Sequence, residues 1–159
     1  MRRRLSVSSS ASAANTPFAR PARTSRLVLD TCVLKLATLP NPANKAAFIW
    51  ELCRRGKFQI FGSPDTLGEY HRVLAEHPAF LEEIQSALEL CFPLFTATAI
   101  EHEPDNRFLE VALAAQADYL ITVNTSRGHF DRKRYGQVWV VTPGEFLSQK
   151  DVQSLAAND

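Results

Sequence analysis

Four oxygen-bearing residues stand where a strand-like run ends or a helix begins. Asp30 closes "RLVLD" (26–30), and an apolar helical pattern starts directly after it. Glu69 lies in the second turn of "SPDTLGEYHRVLAEH" (63–77), and Asp105 in the first turn of "PDNRFLEVALAAQA" (104–117). Asn124 follows "DYLITV" (118–123). Each of the three acids has an ordinary role open to it. Asp30 suits the N-cap of the next helix, Glu69 suits a solvated face with Arg72 at i+3, and Asp105 complements a helix dipole. As a group they suggest other chemistry. Carboxylates brought together repel one another unless a proton or a cation intervenes. An oxygen-only set of this kind suits a hard divalent ion, Mg²⁺ or Mn²⁺.

Whether the four converge depends on the elements that carry them. From Arg26 onward, short apolar runs alternate with amphipathic ones. "RLVLD", "KFQIFG" (57–62), "DYLITV" and "QVWVV" (137–141) read as strands. "PANKAAFIWELCRRG" reads as a helix ended by Gly56; 63–77, 78–90 and 104–117 read as further helices. Ser63 with Pro64 is a helix start, and "TPGEFL" (142–147) is a capping box with Thr142 at the N-cap and Glu145 at N3. This alternation predicts a single α/β domain, a three-layer α/β/α sandwich with a mainly parallel central sheet, over residues 26–150. Residues 1–25 are expected to be a disordered basic tail and 151–159 a C-terminal tail. In such sheets ligands bind outside the carboxyl ends of the strands. That rule sends Asp30, Glu69, Asp105 and Asn124 to one edge, and sends Asp118, which opens its strand, to the other.

Charge narrows the partners. All six arginines of residues 1–26 precede the first acid, so the remainder holds 12 basic and 17 acidic residues, a net of −5. A body this acidic does not attract a polyanion by bulk field, and a local metal ion is the natural source of positive charge. Three scattered cysteines without metal-ligand spacing fit a reducing, cytoplasmic setting. No uncharged apolar run approaches the ~20 residues that span a bilayer, so no membrane partner is expected. The acid-free, Arg- and Ser-rich start suits either a flexible tail or an organelle transit peptide. The loop "RGHFDRKRYG" (127–136) places Arg127, Arg132, Lys133 and Arg134 just past the acidic edge, where they either position phosphates or form a solvated face. Arg107 and Arg72, each within a turn of a candidate acid, are lesser phosphate candidates. His129 is either a proton donor or a packing residue.

"VLDTCVL" (28–34), "EYHRVL" (69–74), "PDNRFLEVALAAQADYLITVN" (104–124) and "VVTPGEFL" (140–147) together resemble the PIN domain, most closely its toxin–antitoxin branch. The resemblance runs from 26 to 147, and its most specific stretch is Asp105 to Asn124 with "HF" at 129–130. It implies a metal-dependent endoribonuclease that leaves 5′-phosphate and 3′-hydroxyl ends. Asp30, Glu69 and Asp105 would then be catalytic and metal-site acids. Asn124 occupies a fourth metal position that many PIN domains fill with Asp. Thr31 and Thr122 match hydroxyl positions beside the site. With three acids and one amide, one reliable Mg²⁺ or Mn²⁺ site is expected. Cys32 departs from the usual Asn or Ser, so support for Asp30 is expected to be altered. The resemblance further implies an RNA substrate, a cognate antitoxin and a homodimer. The non-enzymatic alternative is a degenerate PIN-like module that binds RNA or a partner. Dehalogenase-like and receiver folds also use a strand-end Asp, but this chain lacks their accompanying acids.

Overall fold

A computed structural model describes residues 23–158. In chain order the elements are β1 (Arg26–Leu29), α1 (Thr31–Ala37), α2 (Lys45–Arg54), β2 (Gln59–Gly62), α3 (Pro64–Val73), α4 (Pro78–Ala87), β3 (Leu88–Leu90), α5 (Glu103–Ala114), β4 (Tyr119–Ile121), β5 (Arg134–Tyr135), β6 (Val138–Val141), α6 (Pro143–Leu147) and α7 (Lys150–Ala157). One sheet runs in the order β3-β2-β1-β4-β6-β5, parallel throughout except for the β5–β6 pair. The expected single α/β domain with a mainly parallel sheet is what forms. Leu27, Val28 and Leu29 are all buried, as a central parallel strand covered on both faces requires.

Local signals account for the boundaries. Ser63 caps α3 by accepting from Thr66 N, and the Thr66 hydroxyl answers to Ser63 N, closing a capping box. Thr142 and Glu145 do the same for α6. Gly56, at φ +76°, ends α2 in a Schellman turn: Lys57 N bonds Leu52 O and Gly56 N bonds Cys53 O.

Several boundaries differ from expectation. The helix expected to continue to residue 90 stops at Ala87, and Leu88–Leu90 become an edge strand paired with Ile60–Gly62. Helix propensity at these three residues yields to the outer backbone groups of β2, which β3 satisfies. α3 stops at Val73, not at residue 77. The two-residue β5 pairs with β6 inside the loop expected to be irregular. Residues 150–157 form α7, with Val152 buried in the core, where a tail was expected. The basic N-terminal tail, up to residue 22, lies outside the described residues. No helix among the described residues is long and apolar enough to cross a membrane.

β1 leads outward to β2 and β3 on one side, and β4 leads to β6 on the other, so the winding reverses between β1 and β4. Crevices in parallel sheets open at such a reversal. Tyr70, buried on α3, donates its hydroxyl to Leu29 O at the end of β1. This bond ties the helix that carries Glu69 to the strand that delivers Asp30. Tyr70→Phe should leave the Leu29 carbonyl buried without a donor and lower stability by about 1–3 kcal/mol. Urea unfolding would measure this, and an unchanged midpoint would show that the bond is not needed.

Candidate active site

Asp30 follows β1 in extended conformation (φ −64°, ψ 148°), and its side chain makes no capping bond to α1. The ordinary role proposed for it is therefore not the one it takes. Its Oδ2 accepts from the Thr122 hydroxyl at 2.7 Å and from the Cys32 thiol at 3.2 Å. Thr122 itself follows β4, next to β1, and its Oγ1 also accepts from Asn124 N at 2.9 Å. One hydroxyl thus orients the Asp30 carboxylate and fixes the chain just past β4. Cys32 still bonds Asp30 despite the weak donor expected of a thiol. Burial, and then the neighbouring Asp30 charge, push that thiol up to about 12, so it stays protonated and donating.

Asp30 and Asp105 are almost fully buried, at 3% and 4% exposure. Burial raises the pKa of Asp30 most, the Thr122 and Cys32 bonds oppose that rise, and the Asp105 charge adds to it. Glu69, from the second turn of α3, is raised by burial, then by Asp30, with a further push from Asp105. The Thr31 hydroxyl acts in the opposite direction on Glu69, although Thr31 Oγ1 is buried without closing a hydrogen bond. Asp30 follows β1, and Glu69 and Asp105 lie in the early turns of α3 and α5, so all three come to the same edge of the sheet. They are near enough for the charges of Asp30 and Asp105 to weigh on Glu69 and that of Asp105 on Asp30. Arg72 Nη2 stands 4.0 Å from Glu69 and is largely exposed. Asp118 lies at the opposite end of the sheet, where its carboxylate holds Arg23 and the Arg26 backbone N–H.

Asp105 has partners that the acidic pattern did not foretell. His102 Nδ1 lies 3.1 Å from Oδ1 and His129 Nδ1 lies 2.9 Å from Oδ2, so the two imidazoles flank one carboxylate. Among the described residues, this is the group whose ligand atoms all fall within 4.8 Å of one another. The trio Asp30, Glu69 and Asp105 does not close to that spacing. His102 was not singled out in the sequence, and His129 neither packs as a core residue nor stands alone. The available signal was positional: His102 precedes Asp105 by three residues, and His129 follows the end of β4 at the same edge.

The basic residues expected to contact RNA are partly committed within the fold. Lys133 pairs with Glu145, Arg134 stacks over Trp139 and donates to Gly136 O, and Arg132 lies over Tyr135. Arg107 is held by Glu103, Glu110 and Ala97 O. Arg127 is exposed. An open cleft of about 480 Å³ runs between α3 and α5 beside Glu69, with Arg72 and Arg107 among its walls.

The donor set suits a hard divalent ion: Asp30 and Asp105 offer buried oxygens and Glu69 less buried ones. Among the described residues the basic groups beside them are Arg72, 4.0 Å from Glu69, and the two imidazoles on Asp105. The family model described as the PIN domain matches residues 26–126. The chain therefore belongs to the PIN domain family, whose members are generally nucleases that use divalent metals. No curated protein matches the chain closely enough to name a relative.

The direction of the carboxylate shifts fixes a pH dependence. With pKa values raised in the native state, Asp30 and Glu69 keep their protons to higher pH than in the unfolded chain. Their contribution to stability is complete below the ordinary carboxylate range and is lost as pH rises through the raised values. Metal-free protein in EDTA should thus lose part of its stability as pH rises above the ordinary carboxylate range. Asp30→Asn, which keeps an acceptor for Thr122, should flatten that loss and melt above wild type at neutral pH. Calorimetry checks both. A variant that melts well below wild type would show the Asp30 charge to be stabilising.

Proposed function

We propose that this PIN domain is an Mg²⁺- or Mn²⁺-dependent endoribonuclease. The observation that carries the reading is the arrangement of Asp30. Its carboxylate is drawn away from the helix it could cap, held by Thr122 and Cys32, and set against Glu69 and Asp105 where the sheet winding reverses. Buried like charges without a protein cation are tolerated when an ion joins them. Asp30, Glu69 and Asp105 would hold that ion, with Asn124 as the fourth position. A divalent cation supplies Lewis acidity and a countercharge for a phosphodiester. Thr122 keeps the Asp30 oxygens aimed, and Thr31 lies beside Glu69.

Glu69 is the least buried of the three acids, and its raised pKa suits it to accept a proton from water in the cleft. Exposed Arg127, and Arg72 in the wall of the cleft beside Glu69, are the cations best placed to keep a phosphate backbone in register. Arg107, Arg132, Lys133 and Arg134 are free to contribute only by leaving the partners they hold. The family's frequent pairing with antitoxins makes the toxin of a type II toxin–antitoxin pair the biological role proposed. Its inhibitor would insert an Arg against the carboxylates. A homodimer and a cytoplasmic location belong to the same proposal.

Purified protein should cleave labelled RNA with Mn²⁺ or Mg²⁺ and not with EDTA. Asp30→Asn and Asp105→Asn should each abolish cleavage. Thr122→Val, which removes only the support of Asp30, should cost about 10–100-fold. Equal cleavage by wild type and both Asp variants would overturn the assignment. Absence of cleavage by wild type on any RNA offered would favour the degenerate binding module.

A further inference from the structure

We propose that His102, Asp105 and His129 form a second binding site, for a borderline transition-metal ion with Zn²⁺ as the representative, at the rim of the acidic centre with which it shares Asp105. This inference does not depend on the nuclease reading.

The geometry is that of a three-ligand site with one side open. The two imidazoles approach opposite oxygens of one buried carboxylate, at 3.1 and 2.9 Å. Their ring centroids are 4.6 Å apart at an interplanar angle of 41°. Zinc bonds near 2.0–2.1 Å in a tetrahedron put neighbouring ligand atoms about 3.3 Å apart, so small side-chain adjustments would seat an ion among the three. Two nitrogens and one oxygen select Zn²⁺, Co²⁺ or Ni²⁺ over Mg²⁺, which favours oxygen alone. Three protein ligands with an open position are the arrangement of reactive rather than structural zinc.

Packing histidines do not account for the pair. A histidine buried for structural reasons is usually satisfied by a backbone group, whereas Asp105 is the only side-chain hydrogen-bond partner of either ring among the described residues. His102 is half-exposed and His129 one-third exposed, so the open side faces solvent and an ion has access. Asp105 is buried and cannot turn away.

The backbone holds the three in place before any ion arrives. His102 N donates to Gly128 O at 2.7 Å, joining the start of α5 to the loop that carries His129. Gly128 adopts φ +87°, a conformation that favours glycine. On the other side of His129, Phe130 is buried against Tyr135 and its N–H bonds Asn124 O. The loop is therefore pinned on both sides of His129, and Asp105 N closes the turn on His102 O. This preorganisation is what a metal site requires of its supporting shell.

Asp105 is shared with the proposed hard-ion centre, so a Zn²⁺ ion on the histidines takes an oxygen from that centre. Occupancy by the two kinds of ion is then mutually weakening.

The test is calorimetric titration of the full chain with ZnCl₂, paired with visible absorption after Co²⁺ addition. Wild type should bind one equivalent of Zn²⁺ and develop the ligand-field bands of a low-coordinate Co²⁺ site. His102→Gln and His129→Gln should each weaken Zn²⁺ binding at least about 100-fold, more than loss of an outer partner costs, and abolish the bands. His77→Gln, at the start of α4, should change neither. Circular dichroism melting of each variant confirms that loss of binding is not loss of fold. Absence of a Zn²⁺ equivalent in wild type, or binding retained in both histidine variants, would overturn the site. Because neither readout requires RNA or Mn²⁺, this result stands apart from that of the cleavage assay.

Discussion

The register between β1 and β4 is the constraint on which the remainder depends. Leu29 pairs with Ile121, and Asp30 N donates to Ile121 O at 3.0 Å. That pairing ends two neighbouring parallel strands at the same level, so Asp30 and Thr122 emerge side by side. A slip of one residue would turn both side chains to opposite faces. The buried apolar residues of the two strands make such a slip costly, since Leu27, Val28, Leu120 and Ile121 would all leave their contacts. The hydrophobic pattern of the sheet therefore aims the polar chemistry at its edge.

Electrostatics then sets what the edge can do. Asp30 and Asp105 are buried and feel one another, and the groups bonded to Asp30 are neutral donors. The nearest guanidinium, Arg72, serves Glu69 at 4.0 Å and is mostly in solvent. Elsewhere the fold pairs its acids with arginines: Asp118 with Arg23, Glu51 with Arg54 and Arg55, and Glu110 with Arg107. Those pairs hold charge in place for structure. Asp30 lacks such a pair, and a buried carboxylate left without one is poised for a proton or a cation. The opposite ends of the sheet thus use the same residue type differently, Asp118 as an ion-paired anchor and Asp30 as a buried carboxylate without a cationic partner.

Much of this was legible in the residues. Continuous apolar runs marked the central strands, and Ser63, Gly56 and Thr142 marked element ends because each satisfies orphan backbone groups in a way few residues can. The strand-end rule placed Asp30 and dismissed Asp118 without any contact being known. What was hidden depended on distant chain. Leu88–Leu90 carry helix-forming residues, yet they complete the open edge of β2, which no local pattern announces. α7 is held by the burial of Val152, with Leu155 and Ala156 packed beside it, a short apolar face that the polar end of the sequence does not announce. The histidine pair was hidden for the same reason: His102 and His129 are 27 positions apart, and backbone bonds such as that from His102 N to Gly128 O bring them to one carboxylate. The basic loop fits either a phosphate-positioning role or a solvated face from its residues alone, and the ion pairing and stacking that hold three of its four cations depend on chain outside it.

The proposed hard-ion site at the β1–β4 edge is open to electron paramagnetic resonance titration of free Mn²⁺ against the full chain. Wild type should bind Mn²⁺ saturably, Asp30→Asn and Asp105→Asn should each lose that binding, and excess Mg²⁺ should displace it. Mn²⁺ uptake that is absent in wild type, or unchanged by Asp30→Asn, would contradict the proposal.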